Sequence, residues 1–461
     1  MSASPRCPPI MAAGRTVRTV LAGLTVLWAV AAASTARAAA TGSDDPAEPR
    51  FTLEAIRVEP AEAEITALVE RALPLRIGQT VTAALLVETR DFLDGTGLFA
   101  EVDVYTERGR QPGAIVVVVA ARRAARVRVE TGLGFEPRRS WYLNLVGVRV
   151  LSPFGNGGRF RAGLHEGLHQ GGLYLDLDVP AARSADLDFL ADAGIYKEIW
   201  DVYDGEVPYY QEIRRVRLWA GLRRQLRDDL SVLLWTGPSG TDLDNELHSN
   251  DDDAPDIDPL TLVPALPEQS GFWESRLELR LDRRDQLRPW QAGHWVGWSV
   301  SAAACDVGPS FWGSELDAQL AVPVAGTRAA AFRFRTVYAG PGTPYYMRPI
   351  LGGVRSLRGF RMGSLSGPEG ARAIWQFTGE WRQPLLGDDP ARPRVTGTLF
   401  ADIGQHWDPE GARQDVAASV GYGALVRIRW IQTLNLEVAY PLTDDLTGNP
   451  VTFYISLGRS F

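Results

Sequence analysis

One short stretch of the sequence has the spacing of a zinc-hydrolase motif. His165, Glu166 and His169 form a literal HExxH. On a helix, histidines four positions apart share one face and can bind one zinc ion, with the glutamate as general base. The surrounding residues, RFRAGLHEGLHQGGLYLDLDV, are instead glycine-rich and alternate as a strand does. On a strand the two histidines would lie about 13 Å apart, so we expect no zinc site.

A second candidate site is an acidic loop within residues 241–258. Its carboxylates could bind calcium weakly, but they lack the spacing and the glycine of an EF-hand loop, so we interpret them as a solvated loop and leave calcium open. The aspartates concerned are Asp251, Asp252, Asp253, Asp256 and Asp258. No phosphate-binding, dinucleotide or nucleophile-elbow motif stands out, and the net charge of −8 does not favour nucleic acid. The sequence therefore predicts no catalytic residues, metal, cofactor or nucleic acid partner.

The most cationic glycine-rich stretch is GGVRSLRGFRMG, residues 352–363, which holds three arginines and four glycines. On composition alone this could be an ordinary solvated loop. The role of this stretch depends on the secondary-structure elements around it.

The N-terminus has the features of an export signal. Arg15 and Arg18 precede an apolar run from Leu21 to Ala33, and the small residues Ala36 and Ala38 follow it. This order is typical of a signal peptide, which we place at residues 1–38, followed by a polar linker at 39–50.

The rest of the chain contains neither a disulfide framework nor a membrane helix. Cys305 is the only cysteine after the signal peptide. No later stretch approaches the roughly 20 apolar residues that a membrane helix needs. A β-barrel is then the remaining way to span a membrane, because lipid tolerates no unpaired strand edge.

Residues 51–122 change their hydrophobic period in an ordered way. FTLEAIRVEP alternates as a strand, AEITALVERAL and VTAALLVETRDFLDGTG have helical spacing, and LFAEVDVYTE and GAIVVVVAA return to strand spacing. The order strand, helix, helix, strand, strand predicts a small α+β domain.

Residues 123–461 are dominated by two-residue alternation. In ESRLELRLD the leucines at 277, 279 and 281 point one way and the charged residues the other. The pattern recurs in LYLDLDVP, RRVRLWAGL, AAFRFRTVYAG, TLNLEVAYPL and FYISLGRSF. Such alternation is typical of a transmembrane β-barrel, and 14 Trp and 13 Tyr suit aromatic girdles. We predict about sixteen antiparallel strands from the segment's length, with fourteen to eighteen left open.

Several motifs resemble those of the BamA/TamA outer-membrane assembly and translocation superfamily, and they occur in that family's order. DGTGLFAEVDV resembles the end of a POTRA domain, and ILGGVRSLRGF resembles the family's lumenal-loop motif. The others are LDRRDQLRPWQAG, GEWRQPL, LFADIG, VAYPL and the terminal FYISLGRSF.

The resemblance implies roles for particular residues. The lumenal-loop motif is Leu357, Arg358, Gly359 and Phe360, and its partner motif supplies Asp402 and Gly404. A further family motif comprises Asp282, Arg284, Asp285, Pro289 and Gly293, and a C-terminal insertion signal comprises Phe453, Ile455, Leu457 and Phe461.

The resemblance implies a loop folded into the lumen and Asp402 as the partner of its arginine, and a partly desolvated guanidinium there requires a carboxylate. Arg358 would pair with Asp402, Gly359 would permit a sharp turn, and Phe360 would pack against the wall. We also expect that exchanging the two charges would restore a function lost in either single exchange.

The resemblance also implies a Gram-negative outer-membrane location with the POTRA domain in the periplasm. Partners would be the outer-membrane bilayer, extended client proteins, and accessory proteins. The function implied is insertion, assembly or translocation of clients, which bind a POTRA edge strand and pass through an opening barrel. The chain has one POTRA module where the best-known assembly proteins have several. A dedicated two-partner-type secretion pore, a passive channel and a structural barrel therefore stay open as alternatives.

Overall fold

The computed structural model describes residues 49–461, except 97, 137–139, 155–157, 168, 181–186, 205–206, 245–265, 267, 286–290, 326–327, 368, 388–392, 429–430, 444–450 and 458–461. The predicted signal peptide, most of the polar linker, the five aspartates of the acidic loop, Pro289 and Phe461 lie outside the described residues.

The N-terminal domain is a four-stranded sheet with two helices. Its elements are β1 (Phe51–Glu59), α1 (Ala63–Ala72), β2 (Thr80–Val81), α2 (Ala83–Gly95), β3 (Phe99–Arg108) and β4 (Ala114–Arg123). The strands lie in the order β2-β1-β4-β3, so β3 forms one edge of the sheet. Only the two-residue strand β2 was not predicted, and the small α+β fold is the one expected of a POTRA domain.

Local sequence explains the two helices and their packing. The Thr82 hydroxyl accepts a hydrogen bond from the Leu85 N–H at 3.3 Å, which caps the start of α2. Leu68 and Val69 on α1 and Leu93 on α2 are buried against the inner face of the sheet. Among the described residues, no helix is long and apolar enough to cross a bilayer.

After β4, the described residues form a second sheet of sixteen strands, each antiparallel to the next. They are β5 (Val127–Glu136), β6 (Ser140–Leu151), β7 (Arg159–Gly167), β8 (Gln170–Val179), β9 (Leu187–Asp204), β10 (Val207–Arg227), β11 (Leu230–Leu243), β12 (Gln269–Asp282), β13 (Gly293–Cys305), β14 (Phe311–Ala325), β15 (Arg328–Ala339), β16 (Ala373–Leu386), β17 (Val395–Trp407), β18 (Ala417–Ile428), β19 (Ile431–Pro441) and β20 (Thr452–Leu457). The predicted barrel of about sixteen strands is confirmed.

The barrel is nearly closed. Its end strands β5 and β20 approach each other within 8 Å between Cα atoms, but within the described residues no ladder of hydrogen bonds joins them. We call this place the seam. We call the end of the barrel where β5 begins and β20 ends the near end, because it follows the N-terminal domain, and the opposite end the far end.

The two faces of the wall differ as the alternation predicts. On β12, Leu277 is 42% exposed on the outer face, whereas its neighbour Glu278 is 7% exposed and faces the lumen. Ion pairs link lumen-facing side chains of adjacent strands, as in Arg161–Asp176 at 3.0 Å and Arg333–Asp317 at 2.7 Å. The lumen is therefore charged and the outer surface apolar, as expected of a barrel in a bilayer.

The HExxH stretch has strand geometry. His165 lies in β7 and pairs across to Gly172 of β8, while His169 lies in the turn between these strands. The prediction of a strand in place of a zinc-binding helix is confirmed.

We predict that a charge on the outer face will destabilise the barrel. Leu277→Arg should lower the free energy of unfolding by about 2–4 kcal/mol, because the guanidinium would lie in hydrocarbon. Denaturant titration of barrel folded into lipid vesicles measures this value. The matched variant Leu277→Val keeps an apolar side chain and should change it little; equal stability of the two variants would contradict an outward, lipid-facing Leu277.

Candidate functional site

A long loop from the far end, residues 340–372, enters the lumen between β15 and β16. We call it the plug loop. Near its start, Tyr345 and Tyr346 are buried against Trp200, Tyr209 and Ile213 of β9 and β10. The first part of the plug loop therefore rests on the β9–β10 wall.

Polar contacts reinforce this first anchor. The Tyr345 hydroxyl donates a hydrogen bond to the side chain of Gln211. The Arg215 guanidinium lies 5.2 Å from the centre of the Tyr346 ring, within range of a cation–π interaction.

The tip of the plug loop packs on a different part of the wall. Leu351, Leu357 and Phe360 are fully buried and pack with Ile374 of β16 and Ala417 of β18. Phe360 thus lies against the wall, where the sequence placed it. The loop is consequently held by β9–β10 at its start and by β16–β18 at its tip.

Arg358 lies at the centre of the tip and is 2% exposed. Its Nε and Nη2 donate to the two carboxylate oxygens of Asp402 at 2.7 and 2.8 Å, so the pair is bidentate. Its backbone N–H also donates to Asp402 Oδ2 at 3.2 Å. The contact that the sequence suggested between these two residues is therefore present in the structure.

Two further carboxylates bind the same guanidinium. Arg358 Nη1 donates to Glu380 Oε1 at 2.7 Å and to Glu437 Oε1 at 2.6 Å. The guanidinium carbon lies 3.5 Å from the centre of the Phe400 ring. Arg358 is thus surrounded by acceptors from β16, β17 and β19 and by one aromatic face.

A second arginine completes this buried cluster. Arg382 donates from Nε and Nη2 to Glu380 Oε2 at 2.9 and 2.8 Å. Glu380 and Arg382 are separated by one residue on β16, so both side chains face the lumen. We call Arg358, Arg382, Glu380, Asp402 and Glu437 the arginine cluster.

Sequence reasoning did not assign Glu380 or Glu437. Glu380 lies in the quoted GEWRQPL motif, and Glu437 lies in the alternating strand TLNLEVAYPL. Both occupy lumen-facing positions: Glu380 lies on β16, next to the β17 strand that carries Asp402, and Glu437 lies on β19, two strands from β17. The sequence does show a glutamate on the polar face of each strand. Whether that glutamate lies near Arg358 depends on the register of the barrel strands, which the sequence does not show.

Gly359 and Gly404 allow the close approach of loop and wall. Gly359 has φ +95°, and a Cβ there would lie 3.0 Å from the Ser419 Cβ and 3.2 Å from the Pro441 nitrogen. A Cβ on Gly404 would lie 2.9 Å from a backbone oxygen of β16 and 3.3 Å from the Leu357 side chain. Larger residues at either position would move the tip.

The other two arginines of residues 352–363 have different surroundings. Arg355 Nη2 donates to the Leu457 carbonyl at 3.2 Å, and its own carbonyl accepts from Arg333 and Gln376. The Arg361 side chain is exposed.

The family motif at residues 282–293 forms a turn at the near end and does not join the arginine cluster. Arg284 donates to Asp282 at 2.9 and 2.6 Å, and the Asp285 N–H donates to the Ala292 carbonyl. Gly293 has φ +103°, and a Cβ there would lie 2.4 Å from the Arg283 carbonyl oxygen. The described residues of this motif thus shape the connection between β12 and β13.

The C-terminal motif is divided between two environments. Phe453 is 74% exposed on the outer face, and Ile455 is also exposed there. Leu457, which ends β20, is buried.

We predict that removing the central guanidinium will release the plug loop. Arg358→Ala leaves three carboxylates in a buried site, and breaking a buried pair in this way costs about 3–5 kcal/mol. Single-channel recordings in planar bilayers should show a several-fold larger and longer-lived conductance. The matched control Arg361→Ala removes an exposed arginine three positions later and should resemble the wild type; similar currents from both variants would contradict the anchor.

The geometry changes what we expect of a charge exchange. With Asp at position 358 and Arg at 402, the new carboxylate would face both Glu380 and Glu437, and like charges in a buried site repel. The double variant should therefore conduct like Arg358→Asp alone in the same recordings. Return of wild-type currents in the double variant would show that Asp402 is the sole effective partner.

Part of the chain matches a known protein family. Residues 267–461 match the Omp85 superfamily domain. None of the curated proteins matches the sequence at a significant level.

Solved structures share the fold over most of the chain. BamA from Haemophilus ducreyi lacking POTRA domains 1–3 has a TM-score of 0.59 at 16% identity, with 88% of this chain and 84% of that chain covered. CdiB from Acinetobacter baumannii has a TM-score of 0.51 at 13% identity, covering 88% and 74%. CdiB from Escherichia coli has a TM-score of 0.53 at 14% identity, covering 88% and 75%.

The plug loop and the arginine cluster lie within the matched residues. Residues 267–461 therefore match the Omp85 superfamily domain, and the predicted resemblance to the BamA/TamA superfamily is confirmed.

Proposed function

We propose that this protein works in the Gram-negative outer membrane, with its N-terminal domain in the periplasm, and assists the insertion, assembly or translocation of client proteins. The observation that carries the proposal is the combination of a plugged lumen with a seam that lacks ladder hydrogen bonds within the described residues. A passive channel needs an open lumen. A barrel with a loop packed inside its lumen and a wall that can part at one place is suited to a client that is handed to the membrane or passed through after release of the loop.

The N-terminal domain provides a surface for extended clients. Within the part of the chain that the structure describes, strand β3 pairs with β4 on one side only, and it is ten residues long. An extended polypeptide could add to this edge through main-chain hydrogen bonds, a mode of binding that tolerates varied sequences. This suits a protein with many clients or with one long client.

The near end would then face the periplasm. The N-terminal domain contacts this end through Arg76, whose guanidinium lies 3.3 Å from the Asp228 carboxylate in the turn between β10 and β11. A client bound at β3 would thus be held close to the mouth of the barrel. No catalytic residue is required, because the client's own folding would supply the free energy.

A dedicated secretion pore of the two-partner type remains the second candidate. Within the described residues one small α+β domain precedes the barrel, and a single such module would suit a dedicated task better than that of a central assembly machine. The two functions differ in their clients: several integral barrel proteins in the first case, one large exported protein in the second.

We predict that clients contact the edge of β3. A photoreactive amino acid at Tyr105 on β3 should form crosslinks to other exported proteins in intact cells, and mass spectrometry identifies them. The control position Val87 is exposed on α2 and should give few crosslinks. Several barrel proteins among the products would indicate assembly, one large exported protein would indicate secretion, and equal labelling from both positions would contradict binding at β3.

A further inference from the structure

The last strand of the barrel has an unusual set of partners. Strand β20 pairs with β19 over six residues, from Leu434↔Leu457 to Ala439↔Thr452. On its other side lies the seam, where no ladder to β5 is formed within the described residues. A six-residue strand paired on one side has few main-chain contacts to hold it.

The plug loop supplies additional hydrogen bonds to this strand. The Thr452 hydroxyl donates to the Gly359 carbonyl at 2.9 Å, and the Tyr454 hydroxyl donates to the Phe360 carbonyl at 2.8 Å. The Gly359 N–H donates to the Tyr454 hydroxyl at 3.1 Å. At the near end of β20, Arg355 donates to the Leu457 carbonyl at 3.2 Å.

These contacts follow from the two local geometries. Thr452 and Tyr454 are separated by one residue, so both face the lumen while Phe453 between them faces outward. The φ of +95° at Gly359 gives the loop the turn at which both its N–H and its carbonyl bond to side chains of β20. The same glycine directly follows Arg358, which binds the arginine cluster.

We propose that Tyr454 and Thr452 are positioning residues that couple the plug loop to the seam. This inference rests on the proposed function and describes how opening of the barrel would be regulated. The bound tip of the plug loop and the ordered strand β20 stabilise each other. Because coupling between two equilibria is reciprocal, release of Arg358 from its carboxylates frees β20, and separation of β20 from its neighbours frees the plug tip. A client that displaces the plug tip therefore loosens β20, and a client that displaces β20 loosens the plug tip.

The test measures both elements at once in the full-length protein reconstituted in lipid vesicles. Hydrogen–deuterium exchange with mass spectrometry follows peptides from the plug tip, residues 352–363, and from β20. Tyr454→Phe removes the hydroxyl and keeps the ring, and it should raise exchange in both peptides by about thirtyfold, since two hydrogen bonds of ordinary strength are lost. Asp402→Asn, which does not touch β20 directly, should raise exchange in β20 as well as in the plug tip.

Two matched variants separate coupling from general loosening. Tyr422→Phe makes the same chemical change on the outer face of β18, and Tyr345→Phe removes the hydroxyl contact of the plug loop's first anchor. Neither should change exchange in β20. The coupling is disproved if Asp402→Asn frees the plug tip while β20 keeps wild-type exchange, or if Tyr454→Phe changes β20 alone.

The exchange experiment needs no client. If the exchange data show coupling but no client crosslinks at β3, the coupling stands and the proposed function is contradicted. If clients crosslink at β3 but the exchange data show no coupling, the proposed function stands and the coupling is contradicted.

Discussion

The buried guanidinium of Arg358 is the interaction on which the interior of this barrel depends. A cation taken out of water is stable only when carboxylates and further hydrogen bonds replace its hydration. Here three carboxylates from three different strands supply them, and one aromatic ring covers a face. The position of the plug loop and the relative positions of β16, β17 and β19 are therefore fixed by the same set of contacts.

The arginine cluster requires a barrel wall that is apolar on its outer face and polar on its inner face. Each strand must present apolar side chains to lipid and polar ones to the lumen, and the two-residue period of an extended chain provides this at every strand. The carboxylates of the arginine cluster are lumen-facing positions of that pattern and need no special local structure. The loop, in contrast, needs residues such as Gly359, whose backbone conformation and close approach to β18 exclude a side chain.

Much of the fold could be predicted from the sequence because it depends on local periodicity. The helices of the N-terminal domain, the outward leucines of β12 and the approximate number of strands all follow from it. The contact between Arg358 and Asp402 was suggested by motif resemblance combined with the cost of a lone buried charge. The roles of Glu380 and Glu437 were missed, because their proximity to Arg358 depends on strand register and on how deeply the loop enters the lumen. Local sequence periodicity determines neither.

The contacts of Tyr454 were missed for a related reason. The resemblance assigns FYISLGRSF to a C-terminal signal that includes the outward residues Phe453 and Ile455, and the inward tyrosine between them fits the ordinary alternation of a barrel strand. Side-chain bonds to main-chain groups of a distant loop leave no trace in sequence spacing. They require knowledge of which strand borders the loop tip.

The two separate anchors of the plug loop determine how a passage would form. The tyrosines at its start hold β9 and β10, on the side of the barrel away from the seam, whereas the tip is bound to β16–β20 beside the seam. Loss of the tip contacts alone leaves the tyrosine attachment as a hinge. The first opening would then be an eccentric channel along the wall next to the seam, continuous with it, so that a polypeptide inside the barrel would already lie beside its lateral exit.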